Sequence, residues 1–572
     1  MAALAALVVL ACFALGYRFY ARWVGARIFG DDETIEMPSI AKEDGVDFVP
    51  TDRHVLFGHH FTSIAGAAPI VGPCVAAYWG WLPALAWVVL GTIFLGAVHD
   101  FGALVASARE GGRSIADLAN DVMGGRARVL FLCFVLVLVW LVLAVFAMVI
   151  AGLFVAQPAS VLPIQAEIPM AMAIGWLIHK KKIGALVPSL VVLVALYALV
   201  WVGTKAPFDL RAIAGWDATT SRRAWIVFLF VYAAVASLLP VWLLLQPRDF
   251  VNSHQLFVGL AALFGGLFFA WPEFDAPAVR TDGDAPSIFP LLFVTVACGA
   301  ISGFHGLVSS GTTSKQLRSL SDARMVGYGA MLGEGALALA STLAAVAGIA
   351  LVGACTLPGQ GAIADLSWAT YYDRWAHAGA NQASAFVLGG GAFLEQLGIP
   401  TELARTVMAV LVISFAATTL DTAARIQRFI VAELGQAVGV KALTKPTLAT
   451  AIALLPAVFL AFGQTTDPSG QTRELGWVLW PLFGASNQLL AALALVVMAL
   501  YFAVRRKPVL PLVIPMVLVT VASVLALLEK LRQFVGQEAW GLAAFAAALL
   551  ALTFWMLVEA GRAVGRLRDA AT

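Results

Sequence analysis

Long apolar stretches recur along the whole chain of 572 residues and are separated by short polar segments. Each is close to the roughly 20 residues that a helix needs to cross a hydrocarbon core. Runs bounded by charges or by Gly and Pro predict about fifteen spans, the fifth of them short. The predicted spans are 3–20, 57–79, 82–107, 129–155, 167–179, 183–204, 224–246, 253–271, 288–313, 327–354, 404–432, 446–464, 475–502, 509–528 and 538–561. We therefore predict an all-α, polytopic membrane protein.

Composition supports this prediction, because 61% of the residues are hydrophobic and 12% are charged, against roughly 25% charged in soluble proteins. The net charge of +2 gives no reason to expect a nucleic-acid partner. The five cysteines occur singly and are interpreted as small core residues. The first apolar run, Ala2 to Leu15, is followed by Arg18 and Arg22. This is the reverse of the order in a secretory signal, so we expect a retained span.

Charge in the loops predicts the orientation. Lys and Arg accumulate in cytoplasmic loops, and an outside N-terminus with a cytoplasmic C-terminus places most of the 36 basic residues inside. The exceptions, mainly Lys205, Arg211, Arg222 and Arg223, share one outside loop. The segment 355–402 also falls outside, and we expect a short lid-like or re-entrant helix in it.

The second span is interrupted by Gly66, Pro69, Gly72 and Pro73. A proline inside a helix removes a backbone hydrogen bond, and a break at membrane depth is tolerated only where it is buried in protein or lines a cavity. Transporters build substrate sites from such broken helices. A packing kink is the alternative, but so many breakers in one short window favour a binding surface made of these residues and Ala67.

A second interruption is predicted in the seventh span, at Ser237–Pro240. Spans two to six and seven to eleven then form consecutive sets of five, and an odd repeat length inverts the second set. This predicts a five-plus-five inverted repeat (LeuT-like) with broken helices and adds Ser237 to the binding surface. The predicted domains are an N-terminal span and loop (1–56), a core (57–434, with repeats 57–204 and 224–434) and peripheral C-terminal spans (435–572).

Ionisable side chains inside spans are functional candidates because they are costly to bury. His59, His60, Asp100 and Asp421 are the proton-relay candidates. Adjacent helix residues point about 100° apart, so His59 and His60 make a poor metal pair, and no metal site is predicted. Asp100 is expected to pair with a histidine of span two or to carry a proton; a carboxylate in an inner vestibule is the alternative. Asp421 and Arg425 are spaced for a local ion pair.

Span nine concentrates polar side chains at His305, Ser309, Ser310, Thr312 and Thr313. His305 is assigned to substrate binding. The four hydroxyls suit a coupling Na⁺ or a substrate carboxylate, although hydroxyls also satisfy helix carbonyls in ordinary packing.

Three further polar residues lie in later spans. Glu334 is in span ten, and Asn487 and Gln488 in span thirteen are interpreted as contacts between helices.

Six stretches carry a resemblance to a known family. They are FGHHFTSIAGAAPIVGP (57–73), GAVHDF (96–101), ACGAISGFHGLVSSGTTSKQL (297–317), GYGAMLGEG (327–335), TTLDTAARIQRFI (418–430) and LWPLFGASNQLLA (479–491). The chain resembles the carbon starvation protein A family of prokaryotic membrane transporters. The resemblance implies the fold of the amino acid, polyamine and organocation superfamily, and peptide uptake or pyruvate uptake with protons. His99 departs from the family, in which many relatives carry glutamine.

The expected function is secondary active transport across the prokaryotic inner membrane. A proton- or sodium-coupled symporter would import pyruvate-like carboxylates or short peptides, with no cofactor, and half-helix N–H groups at the break in span two would face the substrate carboxylate. A nutrient sensor is the alternative. A membrane metalloenzyme is a weaker one, because the sequence has no HExxH motif.

Overall fold

The computed structural model describes residues 1–30, 34–357, 361–380, 383–466 and 472–569. The first part of the chain contains one long apolar helix, one broken helix, two further long helices and two short helices. Their bounds are α1 Ala2–Phe29, α2 Pro38–Ala41, α3 Arg53–Ile64, α4 Ala68–Ala76, α5 Trp81–Arg109, α6 Ile115–Met123 and α7 Gly125–Ala156. The Asp52 carboxylate caps α3 by accepting the His54 N–H. Helix α7 ends at Ala156, and Gln157 separates it from Pro158.

The next segment adds a helical hairpin and two spans. The bounds are α8 Pro158–Lys181, α9 Leu186–Lys205, α10 Leu210–Ala214, α11 Ala218–Leu238 and α12 Leu245–Ala270. The predicted interruption at Ser237–Pro240 is wrong. Helix α11 is continuous and ends at Leu238, where Leu239 turns into an extended conformation. Pro240 therefore stops a helix instead of breaking one, and residues 239–244 connect two separate spans.

The second broken helix lies further along the chain, at residues 288–311. It consists of α13 Ile288–Thr295, α14 Ala297–Ala300 and α15 Gly303–Gly311, and Ile301 and Ser302 are extended between the last two. A long, largely buried helix follows, α16 Leu320–Leu351.

The segment predicted to hold a lid-like helix contains one hairpin and three short helices. They are β1 Cys355–Leu357 paired antiparallel with β2 Gly361–Ile363, α17 Trp368–Tyr371, α18 Trp375–Ala380 and α19 Ser384–Gln396. Helix α19 packs against α12 and α16. Residues 358–360 and 381–382 of this segment lie outside the described residues.

The C-terminal part adds five helices and a second hairpin. The bounds are α20 Thr401–Ala437, α21 Pro446–Phe462, β3 Gln464–Thr466, β4 Thr472–Glu474, α22 Leu475–Val504, α23 Leu510–Gly536 and α24 Trp540–Asp569. Helices α7 and α20 pack along each other at the centre. Large apolar side chains remain exposed on outer helices such as α9 and α21, as expected of surfaces that face lipid; examples are Val187, Val191, Val194, Leu455 and Phe459.

The chain is a nearly all-helical, multi-pass membrane protein. Twelve helices of the described residues are long and apolar enough to cross a membrane, and thirteen if α3 and α4 count as one. The predicted spans 288–313 and 446–464 correspond to the second broken helix and to a 17-residue helix. The exact count of about fifteen stays a prediction.

Candidate functional site

The first break is narrower than predicted. Helix α3 ends at Ile64, the chain resumes as α4 at Ala68, and the two axes differ by 47°. The break lies against α20, where the Thr419 hydroxyl donates to the Ser63 carbonyl at 3.2 Å. Gly66 is required there, because a Cβ atom would lie 2.7 Å from the Thr419 hydroxyl oxygen. Helix α4 begins at Ala68; the preceding Ala67 provides no side-chain cap, and Pro69 lies in the first turn.

The second break is stabilised by a residue from another helix. The Asn487 side chain of α22 accepts the Phe304 N–H at 3.0 Å and donates to the Ser302 hydroxyl at 2.9 Å. It caps α15 at the point where the extended residues leave backbone groups unpaired. Asn487 is thus a contact between helices, as expected, but one placed at a break.

The two broken helices cross in direct contact. A Cβ atom at Gly72 would lie 2.3 Å from the Thr295 carbonyl oxygen, and Gly299 faces the ring of Pro73. Gly72 and Pro73 lie inside α4, so these two predicted binding residues pack the crossing instead of forming the break. Gly66, Ala67 and Pro69 lie at the break itself.

His59 connects the first broken helix to α12 and to the end of α15. Its Nδ1 lies 2.5 Å from Asp249 Oδ2, and its Nε2 lies 2.9 Å from the Thr312 hydroxyl. Because a carboxylate can only accept, Nδ1 carries a proton, and Nε2 of a neutral ring accepts from Thr312. His60 points elsewhere: its Nδ1 lies 2.9 Å from the Thr313 hydroxyl. The two rings therefore have separate partners.

Asp249 belongs to a larger buried group that we call the Arg248 cluster: His59, Glu167, Tyr232, Arg248, Asp249 and Asp421. Arg248 Nη1 lies 2.6 Å from Asp421 Oδ2 and also contacts the Tyr232 hydroxyl. Tyr232 donates to Asp421 at 2.8 Å. Arg248 Nη2 is 3.7 Å from Asp249, and Arg248 Nε is 4.0 Å from Glu167. The cluster joins α3, α8, α11, α12 and α20.

A second buried group, the Asp100 cluster, consists of His99, Asp100, His305 and Glu334. Asp100 accepts from His99 Nδ1 at 2.7 Å and lies 3.1 Å from His305 Nδ1. The other nitrogen of His305 lies 3.3 Å from Glu334 Oε2. Asp100 thus pairs with its own neighbour and with the second broken helix, not with a span-two histidine as expected. All four side chains are buried.

The four hydroxyl-bearing residues of span nine, Ser309, Ser310, Thr312 and Thr313, do not form one site. Thr312 and Thr313 bond the two histidines of α3. Ser310 donates to the Gly306 carbonyl at 2.7 Å and accepts the Ile115 N–H, which is ordinary packing. The buried Ser309 hydroxyl has no hydrogen-bond partner among the described residues.

Ser237 lies near the end of α11, where its hydroxyl donates to the Ala234 carbonyl at 2.9 Å. Asp421 and Arg425 do not form the expected local pair: Asp421 binds Arg248, and Arg425 lies 2.5 Å from Asp47 Oδ1. Asp47 comes from the loop that precedes α3, so Arg425 connects this loop to α20.

Sequence reasoning missed Arg248, Asp249 and Glu167. The predicted spans place Arg248 and Asp249 in a loop, because span eight is predicted to start at 253, whereas α12 starts at Leu245. Glu167 stood at the predicted start of span five, but α8 begins about two turns earlier, at Pro158. An ionisable residue next to a predicted span boundary was the available signal.

A cavity of about 900 Å³ lies beside α3. Its walls come from the N-terminal ends of α3 and α12 and from the turn between α8 and α9, and they include Phe57, Phe250, His254 and Lys182. Within the described residues, no group of three or more His, Cys, Asp or Glu side chains is arranged to hold a metal ion.

The opposite end of the first broken helix is fixed by an aromatic and ionic contact. The Tyr78 hydroxyl donates to Asp284 at 2.6 Å, and the Trp375 N–H donates to the same oxygen at 2.7 Å. The Arg280 guanidinium lies 4.3 Å from the centre of the Tyr78 ring and donates to the Tyr372 carbonyl. These contacts join α4, the loop after α12 and the segment around α18.

Comparison with known proteins agrees with the resemblance in the sequence. The profile of the family described as Carbon starvation protein CstA matches residues 1–526. Pyruvate/proton symporter BtsT of Escherichia coli (strain K12) is 32% identical over 548 residues, covering 85% of this chain and 75% of that protein. Peptide transporter CstA of Helicobacter pylori (strain ATCC 700392 / 26695) is 32% identical over 553 residues, covering 89% and 79%.

Among solved structures, the Eremococcus coleocola manganese transporter in complex with an aromatic bis-isothiourea substituted compound overlaps with a TM-score of 0.43. It is 11% identical and covers 91% of this chain and 99% of that chain. This overlap is too loose to bear on fold or cargo. The family profile and the curated relatives are decisive: the chain belongs to the carbon starvation protein CstA family and is a membrane transporter, not an enzyme.

Proposed function

We propose that this transporter is a proton-coupled symporter of small carboxylates such as pyruvate, or of short peptides, in a prokaryotic inner membrane, with the N-terminus outside and the C-terminus in the cytoplasm. The observation that carries the proposal is His305, held between Asp100 and Glu334. A neutral imidazole has one N–H and a protonated one has two. Gain or loss of one proton therefore changes how the second broken helix is attached to α5 and α16.

The proposed core is an inverted repeat of five spans, with boundaries that differ from the sequence expectation. The first unit runs from α3/α4 to α12, with the hairpin α8–α9 as an insertion, and the second runs from α13 to α22. Equivalent contacts support these units: α7 packs on α11 as α20 packs on α21, α5 packs on α15 as α16 packs on α4, and α3 packs on α12 as α15 packs on α22. Because two inserted spans leave the parity unchanged, the units remain inverted.

The proposed substrate surface is the break between α3 and α4. Pyruvate and peptides share a carboxylate. In the first turn of α4, Pro69 has no N–H and the Ile70 and Val71 N–H groups donate to the Ala67 carbonyl, so the carboxylate would face the Ala68 N–H at the positive end of the helix dipole. Gly66 and Ala67 keep this surface free of large side chains. We leave Ser237 out of the site because its hydroxyl donates to the Ala234 carbonyl of its own helix.

Protons are the proposed coupling ion in place of Na⁺. A site for a hard cation presents converging oxygens, as described for Ca²⁺ and Mg²⁺. Here Thr312 and Thr313 are engaged by imidazoles and Ser310 by backbone. The carboxylates of both clusters face histidine or arginine, which favours a change in protonation as the coupling event.

The test uses purified protein in proteoliposomes, labelled pyruvate and labelled dialanine, and imposed proton or sodium gradients. We expect a proton gradient to drive accumulation of at least one of the two compounds. His305→Gln keeps a hydrogen-bonding side chain but cannot carry a proton. It should lose gradient-driven accumulation while it retains exchange of preloaded substrate.

The matched control is His377→Gln, since His377 lies in the outer segment and pairs with Asp373. It should behave as wild type. Absence of uptake of either compound under every gradient would refute the transport proposal, and uptake driven by Na⁺ alone would refute proton coupling.

A further inference from the structure

Glu167 brings a carboxylate into the core from a helix outside the proposed five-plus-five frame. It lies on α8, in the inserted hairpin, and only 3% of the residue is exposed. Its Oε1 is 4.0 Å from Arg248 Nε. A charged side chain is expensive to place inside a membrane protein, so a buried glutamate on an inserted element calls for a specific reason.

The charges around Arg248 do not balance. One guanidinium faces Asp421 at 2.6 Å, Asp249 at 3.7 Å and Glu167 at 4.0 Å. Even with a positive charge on His59, which contacts Asp249, three carboxylates face two cations. An unpaired buried carboxylate costs several kcal/mol, whereas a protonated one is neutral. The cluster therefore has a place for at least one proton.

The atoms that would share this proton lack partners. Within the described residues, the Glu167 Oε1, Arg248 Nε and Nη2, and Asp421 Oδ1 atoms are buried without a hydrogen bond. A cavity of about 20 Å³ is lined by Glu167, Tyr232, Arg248 and Ser414. This is enough for one water molecule, which would lie beside Glu167 and Arg248.

We propose that Glu167 is the proton-binding residue of the Arg248 cluster, with Asp421 and Arg248 holding it in place and one water completing the site. Glu167 takes the proton because it is the most weakly paired of the three carboxylates. Asp421 has a 2.6 Å ion pair and the Tyr232 hydroxyl, and Asp249 has His59. The proposal rests on the proton coupling proposed above and makes the hairpin α8–α9 a working part of the transporter.

The groups that face Glu167 come from every helix packed around it. Arg248, Asp249 and Asn252 lie on α12, Tyr232 on α11 and Asp421 on α20. Helix α9, which also packs against α8, carries two titratable side chains, Tyr197 and Lys205, and α7 contributes apolar side chains to the cavity. Asp421 and Arg248 remain an ion pair in both protonation states of Glu167, so one proton changes the net charge of the cluster by one.

The experiment compares wild type, Glu167→Gln and Glu402→Gln in proteoliposomes, with labelled pyruvate and labelled dialanine as probes. Glu402 is an exposed residue at the start of α20 and gives the same chemical change outside the cluster. We expect Glu167→Gln to lose accumulation driven by a proton gradient while exchange across the membrane continues. Glu402→Gln should retain both. Wild-type accumulation by Glu167→Gln, or a dependence on Na⁺ that this variant removes, would overturn the proposal.

A second measurement does not need transport. Infrared difference spectra of the reconstituted protein are recorded between acidic and alkaline pH. One component of the carboxylic-acid carbonyl band should be present in wild type and in Glu402→Gln and absent from Glu167→Gln. Identical difference spectra in all three proteins would overturn the proposal. If wild type transports neither probe, the proposed function fails, and this spectrum still decides whether Glu167 binds a proton. The same spectrum also tests proton binding by Glu167 if Glu167→Gln loses both accumulation and exchange in the transport assay.

Discussion

The two buried clusters perform a similar connection with different cations. Each ties an imidazole of a broken helix to a carboxylate of another helix: His59 to Asp249, and His305 to Asp100. In the Asp100 cluster every possible cation is an imidazole, which can exist with one or two N–H groups. The Arg248 cluster contains a guanidinium, which stays charged. The difference indicates that the Asp100 cluster can lose all of its positive charge, whereas the Arg248 cluster keeps one fixed cation around which its carboxylates are arranged.

The largest expected effect follows from removing that fixed cation. Arg248→Met keeps an apolar stem of similar length but leaves Asp249, Asp421 and Glu167 without a permanent counter-charge. Breaking a buried pair in this way costs about 3–5 kcal/mol. We expect a clear fall in the thermal unfolding temperature in detergent at neutral pH, with partial recovery in acid, where the carboxylates are protonated.

His305→Gln is the matched change in the Asp100 cluster, and it should lower the unfolding temperature less, because an amide can still donate to Asp100. Equal destabilisation by Arg248→Met and His305→Gln would remove the distinction between the clusters.

An intermediate effect is expected at the crossing that holds both clusters in one frame. Gly72→Ala places a methyl group 2.3 Å from the Thr295 carbonyl oxygen, and overpacking of this kind costs about 1–3 kcal/mol. We expect reduced thermal stability and slower transport of labelled pyruvate or dialanine. Gly152→Ala in α7 is the control, because a methyl group added at this position would extend into open space. Unchanged behaviour of Gly72→Ala would show that the broken helices do not need this close contact.

The smallest effect should come from Asp284, a carboxylate outside the membrane. It gives a reference for the effects expected at the buried carboxylates. Hydrogen bonds from the Tyr78 hydroxyl and the Trp375 N–H lower the pKa of Asp284 below its usual value. A lowered pKa stabilises the folded loop above the unfolded pKa, near 3.9, and this contribution is lost as the pH falls through the folded value. Asp284→Asn should increase hydrogen–deuterium exchange of residues 277–287 modestly at pH 7. No change at pH 7 would mean that the ionised carboxylate does not hold this loop.

How far the sequence predicts this molecule depends on whether a feature is local. The first break can be predicted from its own residues, since Pro69 cannot donate a backbone hydrogen bond. The structure confirms a bend there. The second break has no proline between residues 296 and 303. It is stabilised by Asn487, which follows Ser302 by 185 residues. Local sequence therefore does not reveal it, and Pro240 is the more obvious, but incorrect, candidate for the second break.

The clusters were only partly predictable for the same reason. His59, Asp100, His305 and Asp421 stood out as ionisable residues inside apolar spans. Their partners could not be assigned, because Asp421 pairs with Arg248 of a distant helix and not with Arg425 one turn away. Helix spacing identifies neighbours on one helix, whereas these pairs depend on which helices pack together.

Proton movement during substrate entry tests the central claim most directly. Proteoliposomes with a pH-sensitive dye inside and no imposed gradient are given unlabelled pyruvate or dialanine while entry of the labelled compound is followed in parallel. If transport is coupled to protons, the interior of the proteoliposomes becomes more acidic as substrate enters, and His305→Gln abolishes the dye signal. Substrate entry by the wild-type protein with no change in the dye signal would contradict proton coupling.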